Sequence, residues 1–388
     1  MTVITSVRLT RDRATWLVYL QLGVFATYLY SLSAALPMLR IDQGVSQAVA
    51  SLHGTSMAVG GILTGLALPW LTRKIGPRAA TWTGLAGMSG GMLLVMLSDA
   101  LPVTLLGYGI ASGMGSISLY TGMSALSRHH GPAGPAAISE ANAVGVTVGL
   151  MAPFVLSLAA RSVLGWRAAL LITPLLAVLL AVVMGRVWIP ERDGGEIRTG
   201  PGEAARLGWR FHLAGAVLFC CVALEFSFNL WAAKLVADQT GLSAAVAATA
   251  LTAFTIGLGV GRFGGARLAL RIPPASLLVG ALALTAAGWA IFWVSTNPVP
   301  SYAGLVLSGI GVSLHFPLAL SRLLETADGQ SERATAAASL FASAALGVGP
   351  FLLGALADEF GTRQAFLMVP ALVGLAVGGV LFSSRQRS

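Results

Sequence analysis

The chain is predicted to be an all-α membrane protein, with twelve transmembrane helices arranged as two pseudo-symmetric six-helix bundles. Three observations predict this. Hydrophobic residues make up 56% of the chain and charged residues only 10%, whereas a soluble domain carries about 25% charged residues. The sequence also repeats itself. Gly61 and Gly65 recur as Gly257 and Gly261, and Gly165, Arg167, Ala169 and Pro174 recur as Gly361, Arg363, Ala365 and Pro370, each pair 196 residues apart. One long polar break separates the two copies. A membrane chain built from two similar halves in the same order points to a transporter whose site lies where the halves meet.

Twelve apolar stretches follow one another, at about the 20 residues that a bilayer core requires. The first, 15–38, follows Arg8, Arg11 and Arg13. It is too long for a signal-peptide core and is read as a retained span. Stretches 46–71 and 79–98 are joined by the basic turn Arg73-Lys74-Ile75-Gly76-Pro77-Arg78, and 101–127, 136–160 and 166–189 complete the first half. The polar break holds Glu191, Arg192, Asp193, Gly194, Gly195 and Glu196, then Arg198, Gly200, Pro201, Gly202 and Glu203. That is the composition of a flexible linker. Stretches 211–236, 243–266, 275–295, 300–324, 333–357 and 363–384 form the second half. There Arg271-Ile272-Pro273-Pro274 answers Lys74-Ile75-Gly76-Pro77 at an offset of 197. The expected division is a bundle over 1–190, a cytoplasmic linker over 191–210 and a bundle over 211–388.

With the N-terminus inside, only Arg40, Arg161, Arg167, Lys234 and Arg363 fall on the outer side, five of the 24 Lys and Arg residues. This bias puts both termini in the cytoplasm. It also accounts for the net charge of +9 without nucleic acid as a partner. The expected partners are the lipid bilayer, a small-molecule substrate and protons, for a monomer in the cytoplasmic (inner) membrane. Cys220 and Cys221 are adjacent and form neither a disulfide framework nor a metal site. No phosphate-binding loop and no metal-ligand spacing occur, so no cofactor, no metal and no enzymatic activity are expected.

Twelve spans, a six-plus-six repeat and a central linker resemble the major facilitator superfamily. The turn after span two in that superfamily reads Gly-x-x-x-Asp-Arg-x-Gly-x-Arg. Here Lys74, Gly76 and Arg78 match, while Pro69 replaces the leading glycine and Arg73 the acid. The second half is most similar to the fucose-permease-like branch. The residues that carry this likeness are Glu225 with Trp231, Gly261-Arg262 with Arg267, Leu268 and Arg271, Gly309-x-Gly311 with Phe316-Pro317, and Gly349-Pro350 with Gly354. The resemblance implies the major facilitator fold, a cavity lined by spans one, four, seven and ten, and alternating access. The acids that this branch's sugar–proton symporter carries on spans one and four are missing, so a sugar substrate does not follow. Gly145, Gly149 and Pro153 on span five leave a drug-antiporter reading open.

Ionisable residues inside spans are costly and face the bundle interior. Glu225, midway along span seven, is the first candidate for proton coupling or for anchoring a substrate cation. His315, midway along span ten, is the second, and could share a proton with it. Each has a bland alternative: a structural hydrogen bond for Glu225, and backbone freed by Pro317 for His315. Tyr28, Ser116, Tyr120, Asn229 and Trp231 are the cavity candidates, suited to a neutral or amphipathic polar solute. Arg73, Lys74, Arg78, Glu140, Arg262 and Arg271 are candidates for a cytoplasmic gate, with Glu140 expected to pair with Arg73 or Arg78. Asn142 is grouped with the gate, as is Glu332–Arg333 in the second half. At an offset of 196, Glu225 projects onto Leu29 and His315 onto Leu119, so the polar residues are not duplicated. The expected function is proton-linked secondary transport of a small organic solute. The alternatives are drug or metabolite efflux, and a non-transporting receptor or scaffold on a transporter fold.

Overall fold

The computed structural model describes residues 9–45, 47–160, 162–189, 207–242, 247, 249–327 and 330–385. Arg8, Arg161, linker residues 190–206 and the Glu332 side chain lie outside them. The described chain is helical throughout. In the first half the helices are α1 (Arg13–Gln43), α2 (Gln47–Leu97), α3 (Leu101–His130), α4 (Gly134–Gly149), α5 (Met151–Ala160), α6 (Gly165–Ala168) and α7 (Ile172–Met184). In the second half they are α8 (Trp209–Thr240), α9 (Ala250–Leu268), α10 (Pro274–Val294), α11 (Pro298–Val312), α12 (His315–Glu325), α13 (Ser331–Phe360), α14 (Thr362–Ala365) and α15 (Met368–Arg385).

Among the described residues, nine helical stretches are long and apolar enough to cross a bilayer. Two of them, 52–97 and 101–160, each hold two spans, which makes eleven. The twelfth is α9, Ala250–Leu268. The helix α2 runs through spans two and three, and its path breaks at Gly76 (φ 80°, ψ 159°), between Pro69 and Pro77. Only glycine adopts that backbone without strain, so the basic turn is built on it.

The repeat has a structural meaning at each anchor. Gly165 and Gly361 both have positive φ, and each opens a one-turn helix, α6 or α14, at the entry of spans six and twelve. The arginine two residues later fastens that entry to its neighbour. Arg167 donates to the Val95 and Ser98 carbonyls at 3.1 and 3.0 Å and pairs with Asp42 and Asp99. Arg363 stacks its guanidinium 4.8 Å from the Trp293 ring, while the Trp293 indole donates to the Arg363 carbonyl at 2.8 Å.

Two matched pairs do not keep their roles: Gly65 packs against Leu340 of the opposite half and Gly261 against Ile310 and Ser313 of its own, and Gly61 and Gly257 differ likewise. A side chain at Gly257 would strike the Val306 carbonyl in its own half, whereas one at Gly61 would meet Ser343 in the opposite half. The counterpart of Gly257 is Gly60, whose added Cβ would meet the Gly109 carbonyl. Gly44 and Gly241, the left-handed caps of α1 and α8, share that 197-residue offset. The structural offset is therefore 197 over spans one, two, seven and eight. It places Tyr28, not Leu29, opposite Glu225.

The halves meet along α2 and α13. Ser339 of α13 donates to the Gly61 carbonyl at 3.1 Å, and Gly65 packs under Leu340 and Ala336. Span five divides in the same sense. Its first part, α4, packs against α9 and α12 of the other half, while α5 packs chiefly against α1 and α6 of its own.

Candidate functional site

Between the halves lies a cavity of about 160 Å³. Its lining comes from α1 (Phe25, Tyr28, Tyr30), α3 (Ser112, Ser116, Tyr120), α4 (Asn142), α8 (Glu225, Phe226), α9 (Arg262), α12 (Phe316) and α13 (Ser343). Apolar residues, Leu22 and Met57 among them, fill the rest. Tyr120 and Phe316 face each other across the halves, with ring centroids 6.5 Å apart.

Glu225 and Arg262 are the only charged residues in this lining. Arg262 Nη2 lies 3.3 Å from Glu225 Oε1, and the two side chains are 8% and 18% exposed. The Tyr30 hydroxyl stands beside the same guanidinium. The Nε of Arg262 is buried and has no hydrogen-bond partner among the described residues. The position follows from the sequence around it. Gly261 lets α9 sit against Ile310 and Ser313 of span ten, which leaves the following residue turned toward the cavity.

The expected gate arginine is thus a cavity residue, for a physical reason. Arg262 falls inside the apolar stretch 243–266, and an arginine within a span must find a partner there. Glu225 is that partner. The other gate candidates stay near the end that carries the termini. Arg73 and Arg271 are exposed, and Lys74 lies 4.8 Å from the Trp70 ring. Arg78 donates to the Gly185 carbonyl at 2.7 Å within its own half. Glu140 pairs not with Arg73 or Arg78 but with Arg11, at 2.9 Å, and accepts from the Tyr19 hydroxyl at 2.8 Å. The N-terminal segment, rather than the turn after span two, supplies its cation. Arg333 donates to the Gln330 side chain at 2.8 Å.

Of the cavity candidates, Tyr28, Ser116 and Tyr120 line the cavity. Asn229 does not. Its amide donates back to the Glu225 carbonyl at 2.9 Å on the same helix. Trp231 packs over Gly354. His315 is fully buried with Nε2 3.2 Å from the Thr285 hydroxyl of α10, and is not part of the lining. Glu225 pairs with Arg262, and His315 with Thr285, so the two candidates do not share a proton directly. Tyr30, Ser112, Asn142 and Ser343 were missed as cavity residues. A signal existed for two of them: Ser112 is one helical turn before Ser116, and Asn142 is a polar group inside span five.

The Major Facilitator Superfamily model matches residues 18–228 and 213–387. No curated protein matches the sequence. Among solved structures, the chain is similar to the E. coli fucose:proton symporter FucP, at 17% identity and a TM-score of 0.81, over 95% of this chain and 98% of that one. It is similar to the human organic anion transporter MFSD10 at 14% identity and a TM-score of 0.78, over 96% and 100% of the two chains. It is also similar to the proton:xylose symporter XylE at 14% identity and a TM-score of 0.77, over 96% and 95%.

Proposed function

The chain belongs to the Major Facilitator Superfamily and is a multi-pass membrane transporter rather than an enzyme, and we propose that it is a proton-linked secondary transporter of a small organic solute. Its two halves, 1–190 and 211–388, rock about the cavity in alternating access. The termini and the 191–210 linker face the cytoplasm.

The observation that carries this reading is the largely buried Glu225–Arg262 pair in the wall of the cavity. A carboxylate held by one arginine has two states: ionised and paired, or protonated and released. Glu225 comes from α8 and Arg262 from α9, so both helices feel the change. Gly61, Gly65 and Ser339 give the contact between halves a seam of small residues that can separate. The proton symporters among the structural relatives support the same energy source.

A panel of sugars, amino acids, nucleosides, organic acids and hydrophobic drugs, screened by thermal shift, identifies a ligand by its stabilisation of the folded protein. That ligand, labelled, is then followed in proteoliposomes under an imposed pH gradient. The wild type is expected to accumulate or expel it according to the gradient, and the direction decides between uptake and efflux. Glu225→Gln is expected to lose gradient-driven movement. Full proton dependence in Glu225→Gln would refute the assignment.

A further inference from the structure

With Glu225 and Arg262 both ionised, the lining of the cavity carries no net charge. A proton on Glu225 changes that. It leaves a guanidinium that is 8% exposed without a counter-charge, a costly state for a buried ion. The guanidinium has further unused capacity. It offers five N–H donors in a planar fork; Nη2 is directed to Glu225, the Tyr30 hydroxyl stands beside the group, and Nε has no partner among the described residues. The titratable groups that face Glu225 are Arg262 from α9, Tyr30 from α1 and Cys221 on its own helix. Tyr28 and Tyr120 line the same cavity. None of these replaces the lost negative charge.

Resting on the proton-linked reading above, we infer that the solute is an organic monoanion, a carboxylate on an aromatic or similarly apolar body, whose charge Arg262 receives when Glu225 takes up a proton. The geometry of a carboxylate matches the guanidinium fork. The remaining walls suit a ring: Phe25, Tyr28, Tyr30, Tyr120, Phe226 and Phe316 surround the site. A cavity of about 160 Å³ is close to the size that accepts a benzene ring. A cationic solute would compete for Glu225 and leave Arg262 unneutralised. The transfer is a proton moving to a Glu225 oxygen while the Glu225–Arg262 contact is exchanged for a solute–Arg262 contact. One proton and one monoanion together leave the charge of the cavity unchanged. Each therefore favours binding of the other.

The test is ligand-induced thermal shift of the purified full chain between pH 5.5 and 7.5. The probes are benzoate, phenylacetate and 4-hydroxybenzoate, their neutral amides, and L-fucose. These acids, with pKa values of about 4 to 5, stay mostly ionised across the range. The acids are expected to stabilise the wild type and the neutral probes not to. The apparent Kd for the acids should fall about tenfold for each pH unit of acidification, the slope of one linked proton. Glu225→Gln should bind the acids at a pH-independent Kd. Glu225→Gln with Arg262→Gln removes both buried charges, so it leaves neither unpaired, and should lose at least tenfold in affinity against Glu225→Gln alone. Three results overturn the inference. The acids bind no better than the amides; the double variant binds them like Glu225→Gln; or the pH dependence survives in Glu225→Gln, which would mean the undissociated acid is bound. Acid binding through Arg262 without pH dependence upholds the anion site and refutes proton linkage. A neutral probe whose binding depends on Glu225 protonation does the reverse.

Discussion

Removing one member of the Glu225–Arg262 pair should cost far more than removing both. At 3.3 Å and an effective dielectric constant of about 20, the attraction between the two charges is about 5 kcal/mol. Most of that offsets the desolvation of the two groups, so the net value of the pair is small. Arg262→Gln leaves a buried carboxylate without a partner, a loss of about 3–5 kcal/mol. Protonation of Glu225 relieves part of it, by about 1.4 kcal/mol for each pH unit of acidification over the range where the carboxyl titrates. Glu225→Gln leaves a buried guanidinium that cannot discharge, so its loss does not ease with pH. The double variant replaces both ions with amides and should melt close to the wild type. The assay is intrinsic tryptophan fluorescence during heating, on all four proteins, at pH 5.5 and 7.5. The expected order is wild type and double variant above both single variants, with Arg262→Gln gaining on the wild type at the lower pH. Single variants that melt with the wild type, or a double variant as unstable as the sum of the singles, would refute the paired geometry.

Three further outcomes follow from the packing. Gly257→Ala should lose about 1–3 kcal/mol, because its methyl would lie 2.1 Å from the Val306 carbonyl; chemical denaturation in detergent reads the loss. Gly61→Leu should instead leave each half folded and force the halves apart at Ser343, so a transport defect without a matching fall in melting temperature is expected. Asp12→Ala should lose about 1 kcal/mol of helix cap, since Asp12 accepts from the Thr15 amide and hydroxyl at 2.8 and 2.7 Å. Partial burial opposes ionisation of Asp12, but the Thr15 bonds and His129 outweigh it and hold the carboxyl at about 2. That contribution is complete above the ordinary aspartate range, near pH 4, and is lost as pH falls through about 2. A cap whose contribution does not fade in acid would contradict this assignment.

The fold was legible because the bilayer imposes a simple code. Span length, loop charge and repeated glycines need no side-chain geometry to interpret. Arg167 and Arg363 show why the repeat persists: both fasten a span entry to its neighbour. The site was less legible. Glu225 stood out as an acid inside a span, but its partner is 37 residues away on a neighbouring helix. Helical spacing along α8 points to Asn229, whose amide donates to the Glu225 carbonyl of the same helix. Arg262 reads as a cytoplasmic gate residue because it lies near a span end among other basic residues, and sequence alone does not tell a buried arginine from a topology signal. His315 looked equivalent to Glu225 in depth. Depth does not fix azimuth, and the imidazole turns toward Thr285 rather than the cavity.

The central claim is that solute binding and protonation of Glu225 are coupled, and counting protons tests it most directly. Purified protein in weakly buffered solution with a pH indicator is mixed with the tightest-binding solute of the panel, at a pH where Glu225 starts ionised. The account predicts uptake of one proton per solute bound by the wild type and none by Glu225→Gln. Binding without proton uptake in the wild type, or equal uptake in Glu225→Gln, would contradict it.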